Sequence, residues 1–514
     1  MRHEQSCAYA ADAWARTTGT PGVCCVTAGC GLTNAVTGLS TAALAQSAVV
    51  CIAGQHPTTE DGLGAFHEAY GSELCGSFAK FAKRVLDGST IAVDLRQAFR
   101  EATTAPQGVS VVEIPTNILY PRTDPAAQRR GARLYGADDL RAGADPRGIE
   151  RAIALLHGAQ RPLIAAGDGL FWSGAAAELC ASAELTGMPV YARRAGQGAL
   201  PEDHPLAVRG PWKKPFTGRA DVVLALGFRF WSGERFGEPP TWSADARYIQ
   251  ADATAQRIGL HVPAEVALVG DAKLVLRRLL DAARPHDWSG LRDSLWLHEL
   301  AEVRERFEQM IDARERSHHA RAPVHPDRLA RELCELIDRD ATVVIDSFTL
   351  SGWVSHWLKA RFAGQVLDAG PLAPVGHGIG MAIGAQLARP GKQVVVAIGD
   401  GGLGIGGFDL ETARRYRLPI VVVLWNNSSW GPAFEEMPAL KGRTDPFDML
   451  PELRYDRIAA LMDCHGEFVI RPDALRGALE CALRSGKTAL VNVIGDRRVG
   501  HPSLGGNLLG STRV

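Results

Sequence analysis

The run Val394-Val395-Val396-Ala397-Ile398-Gly399-Asp400-Gly401-Gly402 decides the architecture of this chain. An apolar strand breaks abruptly at glycines that flank one acid, and a helix-compatible stretch follows. A second apolar strand, Ile420-Val421-Val422-Val423-Leu424, then leads to Asn426-Asn427. Strand, helix and strand in succession predict parallel pairing, so both polar ends fall at the carboxyl edge of one sheet, where open α/β sheets bind ligands. The residue types suit Mg²⁺, which takes hard oxygen ligands in octahedral geometry and usually shares them with a diphosphate. Asp400 offers a carboxylate, Asn427 an amide oxygen and Ser429 a backbone carbonyl. The glycines Gly399, Gly401 and Gly402 let backbone N–H groups approach phosphate oxygens, helped by the start of the following helix.

The same alternation of short β-branched runs and helical stretches extends through the chain, which reads as α/β with three doubly wound parallel-sheet domains. The first, residues 1–128, has strand-like runs at 23–27, 48–53 and 109–114, then an Arg-, Ala- and Pro-rich linker over 122–133. The second, 145–285, has runs at 162–166, 190–192, 222–226, 248–250 and 266–269. A charged helical region within 286–323 bridges to the third domain, 324–499, with runs at 342–345, 393–398, 420–424 and 490–493. The Gly-, Ser- and Asn-rich tail, 500–514, reads as a flap or a frayed end.

Composition sets outer limits. Hydrophobic residues at 46% and charged residues at 22% describe a globular protein, and a formal net charge of -1 gives no field to recruit nucleic acid or an anionic membrane surface. No apolar run has the length of a bilayer span, and the first residues show no signal pattern, so the cytoplasm is the expected compartment. Ten cysteines show neither C-x-x-C nor zinc-ligand spacing and read as free thiols.

Gly399-Asp400-Gly401 with Asn426-Asn427 after a helix and a strand resembles the signature of thiamine-diphosphate enzymes. Its spacing is similar to the acetolactate synthase, benzaldehyde lyase and 2-hydroxyacyl-CoA lyase branch. The resemblance implies thiamine diphosphate and Mg²⁺ as cofactors, with metal ligands at Asp400, Asn427 and Ser429. The N-terminal stretch Arg2-His3-Glu4-Gln5, together with the turn Ala28-Gly29-Cys30-Gly31-Leu32-Thr33-Asn34, is similar to the family's pyrimidine-binding domain. Glu4 then stands where a glutamate hydrogen-bonds the pyrimidine N1′ and favours the tautomer that deprotonates the thiazolium, with Gly29, Gly31 and Asn34 around it. Val375 falls where a bulky apolar residue separates the cofactor's rings, although a plain core valine is the alternative. His67, in Phe66-His67-Glu68, takes the place of an active-site glutamine and could move protons on the substrate side; a structural histidine is the other reading, as it is for His377. The family also implies a homodimer or homotetramer in which Glu4 of one copy faces the diphosphate half-site of another.

Two departures bear on function. Relatives carry a first strand, helix and crossover ahead of this glutamate, whereas three residues precede Glu4 here. Either the start lies upstream of Met1, or the protein is shortened and a sheet edge is left uncovered. After the asparagines, Ser428-Ser429-Trp430-Gly431 resembles the lyases more than the synthases, which leaves FAD doubtful. The expected function is therefore a carbon–carbon lyase or carboligase on 2-hydroxy carbonyl or 2-oxo acid substrates, working through an enamine. Acetolactate synthesis from pyruvate and a catalytically silent paralogue stay open. No G-x-G-x-x-G opens a helix with an acidic residue about 20 positions on, so a nicotinamide enzyme is the weaker reading. A second Gly167-Asp168-Gly169 also follows an apolar strand, but Ala195 stands where an asparagine would be needed, so a simple turn is expected there.

Overall fold

Runs of valine, isoleucine and alanine too apolar to face water on either side form the centres of three sheets, and within those sheets all pairing is parallel. The computed structural model describes residues 1–120, 140–431, 443–445 and 447–502. The first sheet holds β1 (Gly22–Val26), β2 (Val49–Gln55), β3 (Phe81–Arg84) and β4 (Val109–Pro115) in the order β1-β2-β4-β3. The second holds β5 (Pro162–Ala166), β6 (Val190–Ala192), β7 (Ala207–Val208), β8 (Val222–Leu226), β9 (Arg247–Asp252) and β10 (Ala264–Val269) in the order β10-β9-β8-β5-β6-β7. The third holds β11 (Thr342–Asp346), β12 (Val366–Asp368), β13 (Val394–Gly399), β14 (Ile420–Asn426), β15 (His465–Val469) and β16 (Ala489–Ile494) in the order β12-β11-β13-β14-β16-β15. Strand order in the first sheet repeats that of β13-β14-β16-β15, so the first and third layers share a topology.

Helix α1 (Glu4–Thr18) joins the first and third layers. Its alanines lie against helix Gly378–Ala388, where Gly380 and Gly384 are close enough that a Cβ would strike the backbone carbonyls of Ser6 and Ala10. At its far end Arg16, almost fully buried, donates to the Asp368 carbonyl at 2.6 Å and to Asp368 Oδ1 at 3.0 Å. The expected charged bridge is the helix Leu295–His318, whose Trp296, Leu300, Phe307 and Ile311 form a buried stripe against the middle domain. Among the described residues no helix is long and apolar enough to cross a membrane. The expected linker at 122–133, the first domain's limit at 128 and the tail beyond 502 lie outside the described residues.

Candidate active site

Adjacent strands of the third sheet put their carboxyl ends around one cleft of about 1060 Å³. The strand order reverses between β11 and β13, and the crevice opens there, at Asp346 and Ser347 on one side and Gly399 and Asp400 on the other. Asp400 opens the helix Asp400–Gly406 directly after β13; Asn427 and Ser429 follow β14. Asp400 is 3% exposed, Asn427 6% and Ser429 3%. Asn427 Nδ2 donates to the Gly431 carbonyl at 3.0 Å, which leaves its side-chain oxygen as a ligand atom. A Cβ at Gly401 would lie 2.7 Å from the Trp430 ring, so only glycine fits beneath that indole. Val375 lines the same cleft and is 41% exposed there.

The electrostatics of Asp400 fit a cation. Oδ1 accepts from its neighbour's N–H, Gly401, at 3.0 Å, whereas Oδ2 is buried without a hydrogen-bond partner among the described residues. Burial pushes its carboxyl up to about 6, against the opposing pull of N–H groups at Gly401, Ser428 and Ser429. A buried, unpaired carboxylate oxygen is costly unless something positive meets it. With one carboxylate, one amide oxygen and one carbonyl on offer, the donor set is all oxygen, as Mg²⁺ requires. Among the described residues no cluster of three or more His, Cys, Asp or Glu is arranged to hold a metal.

The N-terminal residues assemble separately. Glu4 starts α1, behind His3, whose side chain caps the Gln5 N–H at 3.1 Å. Asn34 Nδ2 donates to Glu4 Oε2 at 3.0 Å, and a Cβ at Gly31 would come 3.6 Å from Glu4 Oε1. Gly29 adopts φ +57°, and a Cβ there would lie 2.5 Å from the His67 carbonyl oxygen. Glycine therefore admits the loop that carries His67. His67 itself has φ +64°, and its Nε2 lies 3.9 Å from Cys30 Sγ. Glu4, Gly29, Gly31, Asn34 and His67 thus form one cluster, but none of them lines the cleft around Asp400 within this chain.

Residues 1–74, 149–279 and 349–493 match the N-terminal TPP binding domain, the central domain and the C-terminal TPP binding domain of thiamine pyrophosphate enzymes. The chain is 34% identical over 509 residues to a probable acetolactate synthase of Mycobacterium bovis, covering 98% of this chain and 89% of the relative. It belongs to the thiamine pyrophosphate enzyme family. Mouse 2-hydroxyacyl-CoA lyase 1 is 27% identical over 507 residues, 96% of this chain and 86% of that one. A solved structure described as a thiamin diphosphate-dependent enzyme of Mycobacterium smegmatis superposes with a TM-score of 0.78 at 22% identity, covering 96% of this chain and 91% of that one.

As a thiamine pyrophosphate enzyme, the chain shows parts that its motifs did not disclose. Asp346, at the end of β11, accepts from the Gly376 N–H at 3.1 Å and the Gly378 N–H at 2.8 Å, and so fixes the loop that carries Val375. The available signal was an acid ending an apolar strand, the same pattern as at Asp400. His377 lines the cleft and has its ring nitrogens 2.9 and 3.0 Å from the carbonyls of Pro374 and Ile345. Middle-domain residues Tyr191, Arg193 and Lys213 form the opposite wall of the cleft. Lys213 and Tyr191 both bond buried Glu234, and burial holds the Lys213 ammonium below its usual range. The expected simple turn at Gly167-Asp168-Gly169 is corrected: Asp168 begins the helix Asp168–Ser173 and is buried. Burial works to raise its carboxyl, but the guanidiniums of Arg194 and Arg229 hold it below its usual range. Ala195 does occupy the counterpart of the asparagine position, where its N–H donates to Asp168 Oδ1 at 3.2 Å. Here Arg194 and Arg229 both pair with Asp168 Oδ2, so this carboxylate is neutralised within the protein.

Proposed function

We propose that the chain makes or breaks a carbon–carbon bond beside a carbonyl, on 2-hydroxy carbonyl or 2-oxo acid substrates, with thiamine diphosphate and Mg²⁺. The observation that carries this reading is the buried Asp400 carboxylate, one oxygen unpartnered among the described residues, beside Asn427 at a glycine-lined sheet edge. Asp400, the Asn427 side-chain oxygen and the Ser429 carbonyl would hold Mg²⁺, and Gly399, Gly401 and Gly402 keep side chains out of the way of a diphosphate. Val375 supports the cofactor between its rings. When bound, thiamine diphosphate supplies the nucleophilic carbon that adds to the substrate carbonyl.

Glu4 holds a proton at the aminopyrimidine N1′, and Asn34 orients its carboxylate by donating to Oε2. Gly29 and Gly31 shape the turn around it, and His67 exchanges a proton with the substrate oxygen. Since the Glu4 cluster does not line the cleft of its own chain, a complete site forms between copies, in a homodimer or a larger assembly. Exposed apolar side chains beside the Asp400 helix, Ile405 at 50% and Phe408 at 67%, support such an interface. Ten free thiols support a reducing, cytoplasmic setting.

Acetolactate formation from pyruvate is the second reading, favoured by the 34% identity to an acetolactate synthase. Product analysis with both cofactors separates the two, offering pyruvate, a benzoin and a 2-hydroxyacyl-CoA, with Glu4→Gln as control. Aldehyde or ketone released from the hydroxy compounds and lost in the variant supports the lyase. Acetolactate from pyruvate moves the chain to the synthase side, and no product from any of the three sinks the catalytic reading.

A further inference from the structure

We propose that Cys30 and His67 form a thiol–imidazole pair in the N-terminal half-site, and that Cys30 Sγ is a site of covalent modification by soft carbon electrophiles of the α-haloamide or α,β-unsaturated carbonyl class. The consequence for activity rests on the functional reading above; the pair itself does not.

Several independent features build the pair. Cys30 is exposed and is the first residue of helix α2 (Cys30–Ala45). The His67 Nε2 lies 3.9 Å from its sulfur, within reach of a thiol proton. His67 is held there rather than merely passing by. Its left-handed backbone is admitted by the bare Cα of Gly29, and the Phe66 ring stacks on the imidazole at 3.9 Å between centroids. The loop is closed by Glu68, which accepts from the N–H groups of Gly62, Gly64 and Ala65 at 2.6, 2.8 and 3.0 Å. Tyr70 adds its hydroxyl to the same carboxylate at 3.0 Å.

Other thiols are differently placed. Burial pushes Cys75 and Cys334 up to about 12 and Cys464 up to about 11, and partial desolvation also raises Cys25. Of the exposed thiols Cys25, Cys30 and Cys481, Cys30 is the one with an imidazole nitrogen at hydrogen-bond distance among the described residues. With iodoacetamide the step is a displacement: the Cys30 sulfur bonds to the methylene carbon, the C–I bond breaks and iodide leaves with its electron pair. The thiol proton passes to His67. An adduct on Cys30 then stands at His67, next in chain to Gly31, whose added Cβ would come 3.6 Å from Glu4 Oε1, and it is expected to block the half-site.

The test treats the full chain with iodoacetamide, with and without thiamine diphosphate and Mg²⁺, and follows labelling of Cys30 and Cys481 in the same molecules by peptide mass spectrometry. Cys30 is expected to label at least about tenfold faster than Cys481, with His67→Gln abolishing most of that excess. Cofactors are expected to slow Cys30 alone, and activity to fall in step with its label. A Cys30 rate equal to that of Cys481, or unchanged in His67→Gln, overturns the pair. Should His67→Gln unfold, seen as fast labelling of the buried thiols, Glu68→Gln replaces it: this variant frees the loop and is expected to lower the same ratio, and an unchanged ratio counts against the proposal. His67-dependent labelling in a protein without carboligase activity retains the pair and sinks the functional reading; an active enzyme with an unexceptional Cys30 does the reverse.

Discussion

Asp400 faces two opposing demands, burial and charge, and the one resolves the other only when a cation arrives. Burial pushes the carboxyl up to about 6, and among the described residues its Oδ2 has no hydrogen-bond partner. Asp400→Asn removes the charge while keeping the shape. It is expected to weaken Mg²⁺ binding at least about 100-fold, since even partners one step removed from a metal contribute 10–100-fold. The same change is expected to raise the melting temperature of the cofactor-free protein above pH 6, because it removes an uncompensated buried carboxylate. Titration calorimetry and thermal melts check the two halves; unchanged metal affinity would remove Asp400 from the ligand set. Asp400 and Asn427 were singled out in sequence as candidates because they follow contiguous apolar runs, and Ser429 because it comes two positions after Asn427. Asp346 was not singled out, since its partners Gly376 and Gly378 are far along the chain and only folding brings them to it.

Among the elements, helix Phe348–Trp357 shows how burial sets charge. Its His356 lies 3.0 Å from Arg314 Nη2 through Nδ1, and burial followed by that guanidinium pushes its pKa down to about 4. His325 caps the next helix, Pro326–Leu336, through Nδ1, stacks on His318 at 4.0 Å, and is likewise held at about 4 by burial and then by His318. Both folded values lie below the ordinary 6.5, so the folded state binds fewer protons than the unfolded chain between pH 6.5 and 4. Their stabilising contribution is present above pH 6.5 and is lost as pH falls toward 4. Asp400 acts with the opposite sign over part of that range, so the histidine contribution is read as a difference between variants. His356→Gln is expected to flatten the loss of melting temperature from pH 7 to pH 4.5 relative to wild type, and parallel curves would refute this. Strands at sheet centres were read correctly to within two residues, whereas β3, β7, β12 and β15 were missed. All four lie at sheet ends; β3, β12 and β15 have partly exposed residues, β7 is only two residues long, and none presents an apolar run of strand length.

At the scale of the whole molecule, the two clusters of candidate residues are separate in one chain, and α1 carries Glu4 away from the cleft that its other end helps to brace through Arg16 and Asp368. If sites form between copies, two inactive variants repair each other. Mixing Glu4→Gln with Asp400→Asn under conditions that exchange subunits is expected to restore about a quarter of wild-type activity, because half the dimers are mixed and each carries one intact site. No recovery, with mixed dimers present by native mass spectrometry, would place Glu4 and Asp400 of the same chain in one site.

The sequence alone determined the parallel α/β class and the three layers, and it singled out the candidate Asp400–Asn427 motif, because these depend on local hydrophobic runs and on residues near one another along the chain. It could not decide what faces those residues across space. Only the tertiary structure gave the first and third sheets a shared strand order, supplied the middle-domain wall of Tyr191, Arg193 and Lys213, and paired Asp168 of the second motif copy with arginines. It also brought His67 to Cys30 across 37 positions of chain. Pairings of that kind depend on how helices and loops pack over the sheets, and packing is a property of the assembled molecule rather than of any stretch within it.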